Sequence, residues 1–356
     1  MRSLAKLAAK IPLYHSFRAF GHPKILPFNY TLSLTYKCNS RCKTCNIWKI
    51  QKNFVNKELT EKEWKKIIKS LNNSPFWITI SGGEPFLRFD IDRIVKYSIK
   101  KNKPRFITIP TNGLINSRDK IEKILKTSKK TTLIINFSLD GIGKKHNYIR
   151  GISGNWEKLI KNYFLVKELK NEFDNLVIGI HTVISRWNYA EIPKICYYVE
   201  NNLKPDHHIF ELAENRGELF NQNKKLLPEK RELLKTVRYI LSKTERELCC
   251  RTSLYVKTLR KSYYKYLIDV LTKSKYIKSF AGFASVEISP VGRVIDCAIY
   301  AREMGNLKDF NYDFKKLWLS EKAEAVREIN KSNHDCILAN EFYSNAILNI
   351  KPLFFG

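Results

Sequence analysis

Three cysteines crowd into one short stretch of the chain, with the spacing Cys38-x-x-x-Cys42-x-x-Cys45. Three thiolates on one loop can bind three corners of an iron–sulfur cubane, which leaves the fourth iron open to a small molecule. Zinc is the alternative, but structural zinc sites take four ligands, and no histidine or fourth cysteine lies nearby in the sequence. The spacing therefore predicts an iron–sulfur site with one open coordination position.

Further polar motifs follow the predicted strands, each at the point where its strand ends. In chain order they are Ser81-Gly82-Gly83-Glu84-Pro85, Thr111-Asn112-Gly113, Ser138-Leu139-Asp140-Gly141, His181-Thr182 and the segment with Glu211, Glu214 and Arg216. Parallel strands open their C-terminal ends on one face, where barrel enzymes build their sites. Turn residues also gather at strand ends, so the glycines fit either interpretation, whereas Glu84 and Asp140 favour a site.

The cysteine triad, the Gly-Gly-Glu-Pro stretch and the segment from Ser138 through His146 to Arg150-Gly151 resemble the radical S-adenosylmethionine (SAM) superfamily. The likeness is greatest to the branch with C-terminal SPASM or twitch extensions. It implies an enzyme that uses a [4Fe–4S] cluster, held by Cys38, Cys42 and Cys45, to cleave SAM reductively. The resulting 5′-deoxyadenosyl radical would abstract hydrogen from a substrate.

The resemblance also implies which residues contact SAM. Gly82 and Gly83 would allow close backbone approach, Glu84 would accept a hydrogen bond from the methionine ammonium, and Arg150 would pair with the carboxylate. The full set of implied SAM contacts is Gly82, Gly83, Glu84, Pro85, Asn112, Ser138, Asp140 and Arg150. Glu211, Glu214 and Arg216 are candidates for substrate contact because they lie at the predicted mouth. No catalytic residue is assigned.

The elements that must position these residues alternate between strands and helices. Short apolar runs predict strands at 30–35, 77–80, 106–109, 133–137, 176–181 and 208–211, and helical patterns lie between them. Thr60 followed by Glu63 predicts a capping box at the first of those helices. Strands separated by helices pair in parallel, so the predicted fold class is α/β, a partial (β/α)6 TIM-like barrel with a small C-terminal α+β appendage.

The domain organisation follows from where this alternation begins and stops. We expect a basic N-terminal helical extension at 1–28, the barrel at 29–217, a basic helical region at 218–278 and a twitch- or SPASM-like domain at 279–356. Within the last domain, runs at 283–288 and 293–297 predict a hairpin, and 313–329 predicts one helix.

The C-terminal domain has fewer cysteines than its resemblance to twitch and SPASM domains implies. The resemblance implies auxiliary clusters bound by several cysteines, but only Cys297 and Cys336 stand at matching places, with Ser279 and Asn340 where two others would align. Two thiolates are too few for an all-cysteine cluster. We therefore expect no auxiliary cluster, and leave open whether Cys297 and Cys336 hold a metal.

The net charge of +30, from 64 basic and 34 acidic residues, favours anionic partners. The alternative is that lysine simply covers every solvated face of the protein. The sequence contains no run of eighteen apolar residues, so it predicts no membrane-spanning helix. The clustered thiols indicate a reducing compartment. We expect a cytoplasmic location, with peripheral attachment to an acidic membrane surface through the basic helices as a further option.

Three substrate classes remain open. The SPASM-like branch favours a peptide or protein. The basic N-terminal helix and the tyrosines Tyr263, Tyr264, Tyr266 and Tyr276 among lysines suit an acidic membrane, and thus a lipid, isoprenoid or glycan. The same interleaving suits nucleic acid. The expected electron donor is of the ferredoxin or flavodoxin type, and the competing hypothesis is a non-catalytic iron–sulfur protein.

Overall fold

A computed structural model of the chain describes residues 2–246, 254–332 and 336–349. In these residues the strands form one sheet with the order β6-β5-β4-β3-β2-β1-β7-β8-β9. The strands are β1 (Asn29–Ser33), β2 (Trp77–Ser81), β3 (Phe106–Thr111), β4 (Thr132–Ser138), β5 (Leu176–Ile184), β6 (His207–Leu212), β7 (Ser285–Ile288), β8 (Arg293–Ile295) and β9 (Glu303–Asn306). Strands β1 to β6 pair in parallel and in chain order. The predicted partial barrel is confirmed.

Helices connect the parallel strands and cover the sheet. They are α1 (Arg2–Ala8), α2 (Ile11–Phe20), α3 (Ile47–Ile50), α4 (Glu61–Ser70), α5 (Ile91–Asn102), α6 (Arg118–Leu125), α7 (Lys144–Arg150), α8 (Asn155–Lys167), α9 (Ile192–Tyr198), α10 (Lys230–Arg246), α11 (Leu254–Lys273), α12 (Phe314–Trp318), α13 (Glu321–Lys331) and α14 (Ala339–Leu348). The capping box predicted for α4 is present: Thr60 Oγ1 accepts from Glu63 N, and Glu63 Oε2 accepts from Thr60 N.

The C-terminal strands extend the barrel sheet. Strand β7 pairs in parallel with β1, with Glu287 beside Thr31, and then turns back to pair antiparallel with β8 as the predicted hairpin. The strand that pairs with β1 on this side of the barrel therefore comes from a segment about 250 residues later in the sequence. The domain boundaries remain predictions, and 247–253, 333–335 and 350–356 lie outside the described residues.

The single helix expected at 313–329 is wrong, because the structure has two helices there. Helix α12 ends at Trp318, and α13 begins after Ser320, whose hydroxyl accepts a hydrogen bond from Ala323 N at 3.3 Å. Serine is a favoured N-cap residue because its hydroxyl satisfies a free backbone N–H group. The N-cap therefore divides into two helices a segment whose periodicity predicts one.

Helix α2 of the N-terminal extension packs its apolar side into the protein. Ile11, Tyr14 and Phe17 are buried, and the Phe17 ring meets Phe283 and Trp318 edge to face. The apolar face that a membrane-binding helix would insert into lipid is therefore occupied by protein. None of the helices in the described part of the chain has the length and apolar character to cross a membrane.

We expect Phe17→Ala to lower the free energy of unfolding by about 3–5 kcal/mol, because it empties a fully buried aromatic site. Phe20→Ala is the matched control, since Phe20 ends the same helix with 78% of its surface exposed, and should change stability by less than about 0.5 kcal/mol. Urea unfolding followed by circular dichroism measures both. Equal losses in the two variants would contradict the packing.

Candidate radical SAM site

The cysteine loop connects β1 to α3 at the C-terminal end of the barrel. Cys38, Cys42 and Cys45 are free and partly buried. Backbone N–H groups of Ser40 and Ile47 point at the sulfurs of Cys38 and Cys45, at 3.5 and 3.4 Å. Such N–H···S contacts are among the interactions that set the potential of a cluster.

Helix α7 holds the cysteine loop from one side. The backbone N–H groups of Arg41 and Lys43 donate to the carbonyls of Arg150 and Ile149, each at 2.9 Å. Gly151 follows with φ +69°, and a Cβ atom there would stand 2.3 Å from the Arg41 carbonyl oxygen. Glycine is required at this position because the loop backbone lies against it.

Arg150 links the cysteine loop to the end of β4. Its Nε lies 2.9 Å from Asp140 Oδ2, and its Nη1 donates to Cys42 Sγ at 3.6 Å. Asp140 is almost fully buried, and its other oxygen accepts from Val183 N at 2.9 Å. The structure thus brings Asp140, Arg150 and Cys42 into one chain of contacts that fixes a positive charge beside the cysteine sulfur.

The Gly-Gly-Glu segment pairs with the backbone that leads into the cysteine loop. Gly83 N donates to Thr35 O at 2.7 Å, and Glu84 N donates to Lys37 O at 2.8 Å. A Cβ atom on Gly82 or Gly83 would come within 2.3 Å of these same carbonyl oxygens. The two glycines therefore allow the backbone after β2 to lie against the backbone that leads into the cysteine loop.

Glu84 is buried, and its carboxylate connects the segment after β2 to the end of β3. Oε1 accepts from Thr111 Oγ1 at 2.9 Å and from Phe86 N at 3.2 Å, while Oε2 accepts from Asn112 N at 2.7 Å. Burial raises the pKa of Glu84 to about 7 against these donors. Asn112 in turn donates to Asn39 in the cysteine loop at 2.7 Å, so Glu84 and Asn112 together position that loop.

The remaining implied SAM contacts lie at the same edge of the sheet. Ser138 ends β4 beside His181 of β5 and is partly exposed, and Pro85 is buried in a short turn after Glu84. His146 accepts from Asp140 N at 3.2 Å and contacts Asn155 at 3.0 Å. Burial lowers the pKa of His146 to about 4, so the ring is neutral and supports the Asp140 turn.

The three substrate candidates contact one another. Arg216 lies between two carboxylates, with Nη2 3.6 Å from Glu211 Oε2 and Nε 3.3 Å from Glu214 Oε2. Burial raises the pKa of Glu214 to about 8. Burial also acts to raise the pKa of Glu211, but His181, whose Nε2 is 3.1 Å away, and Arg216 outweigh it and hold the pKa at about 2.

A cavity of about 210 Å³ opens beside this cluster, inside the barrel. Glu211 and Arg216 of its lining are predicted from the sequence, whereas Glu218 and Glu287 are not, and His181 is predicted only as the end of a strand. A glutamate in the middle of the apolar β7 run was the available signal for Glu287. The described lining residues are Thr31, Trp77, Thr79, Ser81, Thr108, Pro110, Asn136, His181, Ile209, Glu211, Arg216, Glu218, Glu287, Ala298, Leu338, Ala339, Asn340 and Tyr343.

The donor set fits an iron–sulfur cluster better than a single metal ion. Burial raises the pKa of the Cys38 and Cys45 thiols to about 12. Metal coordination is therefore needed to hold them as thiolates. No three His, Cys, Asp or Glu side chains among the described residues are placed to bind one ion. A cubane needs no such convergence, because each cysteine binds a different iron.

Comparisons with known proteins agree with this geometry. The family model described as "Radical SAM superfamily" matches residues 32–197. A probable GTP 3′,8-cyclase of Methanococcus vannielii is 30% identical over 217 residues, which are 57% of this chain and 69% of the relative. The chain belongs to the radical SAM superfamily.

Other relatives of this radical SAM protein carry different names. Fe-coproporphyrin III synthase of Methanosarcina barkeri is 27% identical over 49% of the chain, and the subtilosin biosynthesis protein AlbA of Bacillus subtilis is 23% identical over 85%. The chain spans 41% and 63% of the lengths of these two relatives.

The solved structure of anSMEcpe with bound AdoMet and Cp18Cys peptide matches the fold of this radical SAM protein. The TM-score is 0.58 at 16% identity, over 86% of this chain and 84% of the other. Enzymes of this superfamily use a [4Fe–4S] cluster and SAM, and they require a one-electron donor and a substrate.

Proposed function

We propose that Cys38, Cys42 and Cys45 bind the [4Fe–4S] cluster of this enzyme and that SAM binds at its open iron. When bound, these two groups supply the 5′-deoxyadenosyl radical that abstracts hydrogen from the substrate. The observation that carries this proposal is the direct attachment of the Gly-Gly-Glu segment and the Asp140–Arg150 pair to the cysteine loop.

The residues of the chain have separate tasks in this proposal. Glu84 and Asn112 hold the cysteine loop against the ends of β2 and β3, and Arg150 holds positive charge beside Cys42. Gly82, Gly83, Pro85, Ser138 and Asp140 border the position proposed for SAM. Glu211, Glu214 and Arg216 face the substrate side, next to the barrel cavity.

For the substrate class we favour a peptide or protein. AlbA is named for the biosynthesis of a bacteriocin, and the solved structure with the matching fold contains a peptide. The lipid and nucleic-acid alternatives depended on exposed tyrosines, but Tyr263, Tyr264 and Tyr266 are buried, while only Tyr276 of that group is exposed. Stacking on bases or insertion into lipid needs rings that reach the surface.

Anaerobic reconstitution followed by dithionite and SAM tests the enzymatic part of the proposal. The expected result is release of 5′-deoxyadenosine, which a non-catalytic iron–sulfur protein would not produce. Omitting dithionite is the matched control, because reductive cleavage requires an electron. Sedimentation with acidic liposomes and filter binding to RNA, each over a salt titration, then test the membrane and nucleic-acid alternatives. A flavodoxin or ferredoxin replacing dithionite tests the proposed donor.

A further inference from the structure

The charge of the barrel cavity is opposite to that of the protein as a whole. The chain carries 64 basic and 34 acidic residues. The described lining of the cavity nevertheless contains three glutamates, one arginine, one histidine and no lysine. A lysine-rich composition spreads positive charge over solvated faces, so it does not account for a lining of this kind.

The positive charge of the arginine in the lining is already paired with carboxyl groups. Arg216 lies against both Glu211 and Glu214, and His181 also contacts Glu211. The Glu214 side chain is 7% exposed, and neither of its oxygens accepts a hydrogen bond in the described residues. Tyr343 lines the cavity, and its hydroxyl is likewise buried without a hydrogen-bond partner in the described residues. Buried polar groups of this kind are usually satisfied, by protein, water or a ligand.

Two further carboxyl groups face the same cavity as a pair. Glu218 and Glu287 both line the cavity, and Ser33 Oγ donates to Glu287 Oε1 at 2.6 Å. Burial raises the pKa of both groups, and the charge of Glu218 raises that of Glu287 further. Arg216 is the only arginine or lysine in the described lining beside this pair, and it is already paired with Glu211 and Glu214.

We infer that the substrate places a primary ammonium group against the Glu218–Glu287 carboxyl pair. A buried carboxylate costs several kcal/mol unless a counter-charge reaches it, and a cationic nitrogen supplies both the charge and N–H donors. A phosphate or carboxylate ligand would be repelled by these glutamates. The carboxyl cluster is not placed to bind a metal ion among the described residues.

The position of the pair places this ammonium close to the proposed radical source. Glu218 lines the cavity, and the carbonyl of the next residue, Leu219, accepts from Asn46 N in the segment after Cys45 at 3.0 Å. One residue of the cavity lining is thus the chain neighbour of a residue that is hydrogen-bonded to the end of the cysteine loop. The inference rests on the proposed function for its relation to catalysis, but the ammonium site itself can be tested by binding alone.

The first test compares probes of equal size on the reconstituted holoenzyme with saturating SAM and no reductant. Ligand-observed NMR titrations of n-butylammonium, n-butanol, butyrate and inorganic phosphate measure their affinities. We expect n-butylammonium to bind at least about tenfold more tightly than n-butanol, and butyrate and phosphate not to compete. Equal binding of butylammonium and butanol, or competition by either anion, would overturn the inference.

The second test removes the charge of the pair. Glu218→Gln/Glu287→Gln must be made together, since a single change lets the remaining carboxyl ionise. We expect the double variant to lose the preference for butylammonium over butanol, while its affinity for SAM stays unchanged. Glu341→Gln is the matched control, because Glu341 is a buried carboxyl bonded to Ser285 outside the cavity lining. Retained preference in the double variant, or weakened SAM binding instead, contradicts the assignment.

A third comparison distinguishes a lysine side chain from a small amine as the source of the ammonium group. Acetyl-Gly-Lys-Gly-amide binding more tightly than n-butylammonium supports a lysine side chain of a peptide, and the reverse order supports a small amine. Failure of the proposed function has a separate signature, which is the absence of 5′-deoxyadenosine with dithionite while the ammonium preference persists. Failure of the ammonium site leaves 5′-deoxyadenosine formation intact.

Discussion

Cys42→Ala is expected to abolish both cluster binding and SAM cleavage. The wild-type chain should hold about four irons after anaerobic reconstitution, because three thiolates bind one cubane and nothing else in the sequence predicts a second one. With one of the three thiolates missing, we expect cluster absorbance near 400 nm and 5′-deoxyadenosine release to fall by about 100-fold or more. Iron analysis, absorbance and product chromatography measure the three quantities.

Two further cysteine variants make this result specific. Cys196→Ala is the matched control, since Cys196 is buried on α9 away from the loop, and it should keep the full iron content. Cys297→Ala/Cys336→Ala tests the expected absence of an auxiliary cluster and should also keep about four irons. An unchanged cluster in the Cys42 variant would refute the cubane assignment, and about eight irons in the wild type would refute the single-cluster prediction.

Arg150→Met is expected to make the cluster harder to reduce. It removes a positive charge and an N–H donor from Cys42 Sγ, and both stabilise the more negative, reduced state of a cluster. We expect the midpoint potential to fall by about 60 mV, equivalent to a tenfold change in a one-electron equilibrium, with slower 5′-deoxyadenosine formation. Potentiometric titration followed by electron paramagnetic resonance measures the shift. Arg150→Lys keeps the charge and should recover part of it.

Stability must be separated from potential in that experiment. Arg150→Met leaves the buried Asp140 without its cation, which costs about 3–5 kcal/mol, and adding Asp140→Asn should restore part of this loss. Arg88→Met is the matched control, because Arg88 forms an equally buried pair with Asp90 at 2.6 Å without a contact to the cysteine sulfurs. A potential that shifts as much in the Arg88 variant would mean that Arg150 acts only through folding.

The SAM contacts of Glu84 and Arg150 stay predictions, but the contacts of these residues within the protein could not be predicted from the sequence. The resemblance implied that Glu84 accepts from the SAM ammonium, yet its oxygens already accept three hydrogen bonds from Thr111, Phe86 and Asn112. Arg150 was expected to pair with the SAM carboxylate, and the structure has it against Asp140 and Cys42. Motif spacing locates such residues at an edge of the sheet, but hydrogen-bond partners come from neighbouring strands that the motif does not contain.

The sequence by itself determined the class of chemistry and the six-stranded barrel core. Both depend on short-range information: the spacing of three thiols in one loop, and the alternation of apolar runs with helical periods. Only the tertiary structure decided what surrounds the barrel cavity. Glu287 reaches the cavity because β7 pairs with β1, which brings it to Ser33 across 254 residues of chain. Pairing of distant strands depends on how the whole core packs, and no local pattern encodes it.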